Sequence, residues 1–401
     1  MRSAFARLRG IGPVLLSANE HLAASNAQTL AWQCEVTRIP SPTGHEHARG
    51  QWMAEQFEAL GWGLIRIDAV GNVIARRPPR AGDPAHARAV WCCAHLDTVF
   101  ADPAPVVSRH GTRLEGPGIG DNGRGLAALL ALASALEQAQ IHAPHEIVLA
   151  CTVGEEGAGD LRGMRHLMRE ATPAPHAVIA IDGAGDDRIV HSALGSSRWR
   201  ITFTGAGGHS WADFGVANPV HAASAVAAAL QAVMLTREPR STLTVARIGG
   251  GDTINSIPRE GWLEVDMRSL SASVLDDMER VLRLTVARVE TVENDKRLVG
   301  SAPLESHIES LGSRPCGTMA DDAPLVRIAE HATRRIGAMP RFATGSTDAS
   351  IPIAMGIPGI AIGAGGSGGG THTPAEWYDD TGGVRGLQRA LHIVTAAAGL
   401  R

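Results

Sequence analysis

No apolar run approaches the roughly 18 residues that a membrane-spanning helix needs, so no membrane span is expected. Runs of Lys and Arg are also missing, and 37 basic residues face 41 acidic ones for a net charge of −4. That balance argues against a dedicated nucleic-acid surface. The five cysteines are an odd number without a C-x-x-C pair, which excludes a disulfide framework and a thiol-pair redox motif. Cys92, Cys93 and Cys151 stand inside apolar runs, where they read as small buried hydrophobes. Reduced thiols point to the cytoplasm. Aromatics make up only 4% while glycines number 46, which favours close-packed helices and tight turns over a β-sandwich. The one G-x-S-x-G match, GGSGG at 365–369, lies in a glycine run that leads to THTPAEW and no helix, so it does not read as the nucleophile elbow of serine hydrolases. Near the start, Arg2, Arg7 and Arg9 precede an apolar run that Pro13 interrupts. It falls short of the roughly 7–15 residues of a signal-peptide core and reads as an N-terminal helix or a frayed tail.

What is present is a soluble, globular composition, 44% hydrophobic and 19% charged, on 401 residues. That length exceeds one ordinary core and implies two domains. The runs AVWCCA (89–94), EIVLACTV (146–153) and AVIAID (177–182) read as buried strands, and Leu126, Leu129, Leu130 and Leu136 recur between them at helical spacing. This is an α/β pattern with a mixed, mostly parallel sheet covered by helices. The texture changes near Ser196. Leu263, Val265 and Met267 alternate with Glu264, Asp266 and Arg268, which predicts a strand with one wet face. Two helical stretches interleave with such strands, one opened by Asn218 as cap and Pro219 in the first turn. After Ser313 the α/β texture resumes. The expected organisation is therefore a domain formed by 1–195 and 314–401, split by an inserted α+β domain at 196–313.

Polar residues fall at the ends of the predicted strands. In CCAHLDTVF, His95 and Asp97 follow one strand and, two apart on an extended chain, face the same side. That suits a metal ligand and the carboxylate that orients it, or a satisfied histidine in a strand-end turn. In GPGIGDNGRG, Asp121 precedes a helix and could cap it. CTVGEEGAGD places Glu155 and Glu156 side by side, where each disfavours ionisation of the other. Asp182 ends a further strand, and His372 follows a strand and a glycine run. Strand ends in such sheets converge on one crevice. Two histidines and three carboxylates there suit two divalent ions sharing a bridging carboxylate, with zinc favoured and cobalt or manganese as alternatives. A sixth carboxylate left unligated can take a proton from a metal-activated water. This reading makes Glu155 the base and Glu156 a ligand.

The segments HLDTV, GPGIGDNGRG, GEEG, the IDG turn and THTPAE resemble, in order and over nearly the whole chain, the M20 family of co-catalytic metallopeptidases and amidohydrolases. The resemblance implies that His95 and Asp182 hold one metal, Glu156 and His372 the other, and Asp121 bridges, with Asp97 orienting His95. It also implies a cis peptide between Asp121 and Asn122. The insert is similar to the family's lid domain. GGHS supplies His209 for oxyanion stabilisation, in its own or a partner's site, and GGDTINSIP and VDMRS supply Asn255 and Arg268 for substrate binding. A homodimer through the lid is implied. Asp at 182, where desuccinylase-like and glutamate-carboxypeptidase-like members tend to carry Glu, tilts the expectation toward di- and tripeptide aminopeptidases and dipeptidases. Deacylases of N-acyl amino acids and carboxypeptidases stay open. The glycine-rich GAGGSGGGTHT is expected to flex. Two other classes fare worse. A G-x-G-x-x-G at 363–368 follows a strand but leads to THTPAEW and no helix, against a dinucleotide site. A non-catalytic binding protein on the same scaffold would be expected to have lost ligands or the base, and all six residues are present.

Overall fold

The computed structural model describes residues 12–79, 88–101 and 105–400. The chain divides into two units, Met1–Ala193 with Thr318–Arg401, and Leu194–Gly317. The expected insert lies inside the second. Of the expected N-terminal helix or tail, Pro13–Ala24 is helical and residues 1–11 lie outside the described residues. Among the described residues no helix is long and apolar enough to cross a membrane.

The first unit is built on a mixed, largely parallel sheet. Its strands run in the order Leu64–Ile67, Val73–Arg77, Glu146–Thr152, Ala89–His95, Ala177–Ile181, Gly359–Ile362 and Arg188–Ala193, with Arg341–Gly345 pairing the last. The 89–95 strand lies parallel to both 146–152 and 177–181, and 177–181 lies parallel to 359–362. The strand 188–193 runs back antiparallel to 359–362. The continuous apolar runs follow from burial on both faces. Side chains alternate across a strand, so Val90, Cys92 and Ala94 join the core formed with Leu126, Leu129 and Leu391, while Trp91 and Cys93 join Met164, Leu167 and Ile351 on the other face. The helices Gly123–Gln138 and Gly383–Ala397 cover one side and Arg162–Glu170 and Ser350–Ala354 the other.

A small antiparallel sheet of Ser367–Gly369, Trp377–Asp379, Arg113–Glu115 and Ser108–His110 also belongs to this unit. Sequence reading missed it because its strands are only three residues long. It takes in part of the glycine run, which pairs with 377–379 as a strand, and His372 sits in the turn between the two.

The second unit is an antiparallel sheet in the order Ser241–Gly250, Glu260–Ser269, Gly195–Thr204, Glu305–Arg314. Helices Pro219–Gln231 and Ala272–Lys296 pack on one face, where Ile201, Phe203, Leu263, Val265 and Met267 meet Val226, Leu230, Met278 and Leu282. The Asn218 side chain caps the first helix by accepting from the amides of Val220 and His221. On the other face Arg200 lies 4.2 Å above the Trp262 ring and bonds Glu264. The strand 305–314, whose SLGS stretch interrupts the apolar alternation, was not among the sequence expectations.

Candidate metal centre

The strand 89–95 delivers His95, and the chain then turns so that Asp97 is wholly buried. His95 Nδ1 meets the Asp97 carbonyl oxygen at 3.0 Å and its carboxylate at 3.6 Å. The Asp97 carboxylate spends its hydrogen bonds elsewhere. It accepts from the amides of Glu155 at 2.9 Å and Glu156 at 3.0 Å, and from the Thr43 hydroxyl at 2.8 Å. Burial opposes its charge, but the His95 contact and the two amides outweigh that and bring its pKa to about 2. One carboxylate thus ties the 95–97 turn to the loop that carries both glutamates.

That loop leaves the strand 146–152 through Gly154, which has φ +62 and whose hypothetical Cβ would lie 2.7 Å from Arg162 Cγ. Glu46 accepts from the Gly154 amide at 3.0 Å and pairs with Arg162 at 2.6 Å. Glu155 and Glu156 are both buried.

Asp121 is the hub. Its Oδ1 lies 2.9 Å from His95 Nε2 and its Oδ2 3.2 Å from His372 Nε2. His372 Nε2 is also 2.9 Å from Glu156 Oε1, and Asp182 Oδ1 approaches His95 Nε2 to 4.0 Å. Ligand atoms of His95, Asp121 and Glu156 all lie within 4.8 Å of one another. The five proposed ligands, distant in sequence, are therefore linked through contacts of 4.0 Å or less. Asp121 does not cap the following helix. Asn122 does, accepting from the Gly125 amide at 3.0 Å and donating to the Ile181 carbonyl at 2.9 Å, beside Asp182. The Asp121–Asn122 peptide is cis.

Electrostatics at the centre follow from crowding. Burial opposes charge on Asp121, but the hydrogen bonds from His372 and His95 outweigh it and hold the carboxyl well below the usual range. Burial pushes the Glu156 and Asp182 carboxyls up, with repulsion from Asp121 adding to each. The hydrogen bond to Asp121 lifts His372 to about 9 against the cost of burial. Anions outnumber imidazoles here, and two nitrogen and three carboxylate ligands fit a pair of divalent cations, which would supply the positive charge the cluster lacks.

Three supporting residues were not singled out from the sequence. Glu376 accepts from the amides of Gly118, Gly120 and Asp121 at 2.7–2.8 Å and so fixes the turn that presents the hub carboxylate. Its only sequence signal is its place in THTPAEW. Arg49, fully buried, donates to the carbonyls of Ile39 and Leu96 and braces the 95–97 turn. Asp348, 3% exposed, accepts from the Thr152 hydroxyl, and burial lifts its pKa to about 6.

The lid candidates lie in the second unit. His209 and Asn255 are neighbours there, because Gly208–His209 pairs with Ser256–Ile257 and the Ser210 amide donates to the Asn255 carbonyl. His209 Nδ1 accepts from the amides of Trp211 at 3.2 Å and Ala212 at 3.3 Å. An accepting Nδ1 carries no proton, so in the neutral ring Nε2 is the donor. Arg268 stands apart, on the polar face of the 260–269 strand, with its Nε 2.7 Å from Asp266.

The description "Peptidase family M20/M25/M40" matches residues 91–398. A succinyl-diaminopimelate desuccinylase from Magnetococcus marinus is 24% identical over 289 residues, 66% of this chain and 74% of that protein. Among solved structures, a tripeptidase from Staphylococcus aureus superposes with a TM-score of 0.76 at 21% identity, covering 93% of this chain and 99% of its own. A Bacillus subtilis protein described as a dinuclear metal binding peptidase superposes with a TM-score of 0.67 at 15% identity, covering 93% and 98%.

Proposed function

The chain belongs to peptidase family M20/M25/M40 and is a hydrolase of that family, and from that premise we propose that it cleaves amide bonds in small peptides as a di- or tripeptide aminopeptidase or dipeptidase. The observation that carries the reading is the Asp121 carboxylate, held between two imidazoles at 2.9 and 3.2 Å with Glu156 and Asp182 alongside. His95 and Asp182 would hold one cation, Glu156 and His372 the other, and Asp121 would bridge. Bound there, two divalent cations supply Lewis acidity that acidifies a water and polarises a carbonyl. Zinc suits this donor set best.

The chain's own residues do the rest. Glu155, its amide anchored on Asp97, takes the proton of the attacking water and returns it to the leaving amine. His209, with its proton on Nε2, donates to the oxyanion, and Asn255 and Arg268 hold the substrate. Asp at 182 supports the peptidase branch. The relationship to a desuccinylase supports a second reading, hydrolysis of N-acyl amino acids. A homodimer through the second unit and a cytoplasmic site of action complete the proposal; all five cysteines are free thiols.

The test is metal analysis followed by turnover of di- and tripeptides against N-acylated amino acids, with and without chelator. Two cations per chain and chelator-sensitive cleavage are expected. Glu155→Gln should keep both cations and lose about 10³-fold or more in kcat. A Glu155→Gln enzyme that retains most of its activity removes that residue from the role, and a chain that holds no metal overturns the reading.

A further inference from the structure

Resting on that reading, we propose that Arg188 is an anion-recognition residue of the substrate cleft, selecting amide substrates that carry an acidic side chain beside the bond being cut. A cleft of about 690 Å³ opens beside the metal centre and is lined by Asp121, Asp182, Arg188, Arg341 and Trp377. Arg188 reaches it for a topological reason. Ile362 pairs with both Ile181 and Ile189, and the 188–193 strand runs antiparallel to its neighbour. Its first residue therefore starts at the sheet edge where the 177–181 strand ends in Asp182.

The other charges nearby are already spent. Asp187 bonds Arg341 at 3.2 Å, and Asp186 pairs with Arg385 at 3.2 Å. Those are the two acids next to Arg188 in sequence. The half-buried Arg188 side chain forms neither a hydrogen bond nor an ion pair among the described residues; its backbone carbonyl accepts from Arg389. Asp182, the anion whose charge it favours, is more than 4.0 Å away and is assigned to the metal. A half-buried guanidinium with its fork unused, facing a cleft, is suited to a planar carboxylate, which it can grip bidentately.

The experiment uses the metal-loaded enzyme and matched peptides differing only as Glu against Gln, or Asp against Asn, on either side of the scissile bond. The wild type should favour the acidic member by about 10- to 100-fold in kcat/KM, the range for a hydrogen bond to a charged group. Arg188→Ala should erase that preference through KM, with kcat, metal content and turnover of the neutral member nearly unchanged. Arg188→Lys should restore part of it. No preference in the wild type, or equal losses for both members in Arg188→Ala, would overturn the assignment and leave the hydrolase reading standing. If no peptide is cleaved at all, the hydrolase reading fails, and calorimetric binding of glutarate still decides: at least a tenfold loss in Arg188→Ala supports the anion site, and unchanged affinity refutes it.

Discussion

Replacing Asp348 with Asn should change how stability depends on pH. Asp348 is buried against Thr152 at the end of the 146–152 strand; its Oδ2 accepts from the Thr152 hydroxyl and its Oδ1 has no partner among the described residues. Burial raises its pKa from 3.8 to about 6, and the Thr152 hydrogen bond only partly offsets this. The folded chain thus keeps the proton up to about pH 6, whereas the unfolded chain releases it above its ordinary value near 3.9. Between those values the folded state binds more protons, so stability falls as pH rises. Roughly two units at 1.36 kcal/mol each give about 3 kcal/mol, of which about 2–3 kcal/mol is lost between pH 4 and pH 7. An Asn at 348 can still accept from Thr152 but cannot ionise. Any packing change it introduces is a constant offset, so the slope is the readout. Urea unfolding of chelator-treated wild type and variant, followed by circular dichroism at several pH values, should show the variant gaining about 2–3 kcal/mol relative to wild type from pH 4 to pH 7. With cations bound, nearby positive charge favours the ionised form and the gain should shrink. A difference that stays flat with pH would mean that Asp348 ionises normally and the desolvation argument is wrong.

Gly125→Ala should destabilise the protein by about 1–3 kcal/mol by calorimetry, reversing the usual gain of up to about 1 kcal/mol from Gly to Ala inside a helix. The new Cβ would lie 2.1 Å from Asn122 Oδ1 and 2.7 Å from the Ile181 carbonyl oxygen, so the cap beside the hub carboxylate has to give way. Glu376→Gln should weaken metal affinity by about 10- to 100-fold in competition with a chromophoric chelator, because an amide group cannot accept from three backbone amides as the carboxylate does. Unchanged affinity would show that the 118–121 turn holds itself.

The second unit shows how far alternation can be read. Leu263, Val265 and Met267 were legible as a core face, and they are buried against both helices. The same pattern put Arg268 on the polar face, where it meets Asp266. Asp97 shows where such reading stops. Its spacing from His95 was visible, but the two backbone amides it accepts from lie more than fifty positions away. Glu376, Asn122 and Asp348 were harder still, since nothing about a lone Glu, Asn or Asp says which distant backbone it will meet.

The strands, the character of the two halves and the candidate ligands could be read from the linear chain, because burial on both faces writes a continuous apolar run and a strand end writes a polar residue after it. Tertiary structure alone decided which oxygen of Asp121 meets which imidazole, that Asn122 and not Asp121 caps the helix, and that the Arg188 side chain at the cleft is left unpaired among the described residues. Those outcomes depend on competition among donors and acceptors brought together by pairing of distant strands, and a local pattern carries no record of that competition.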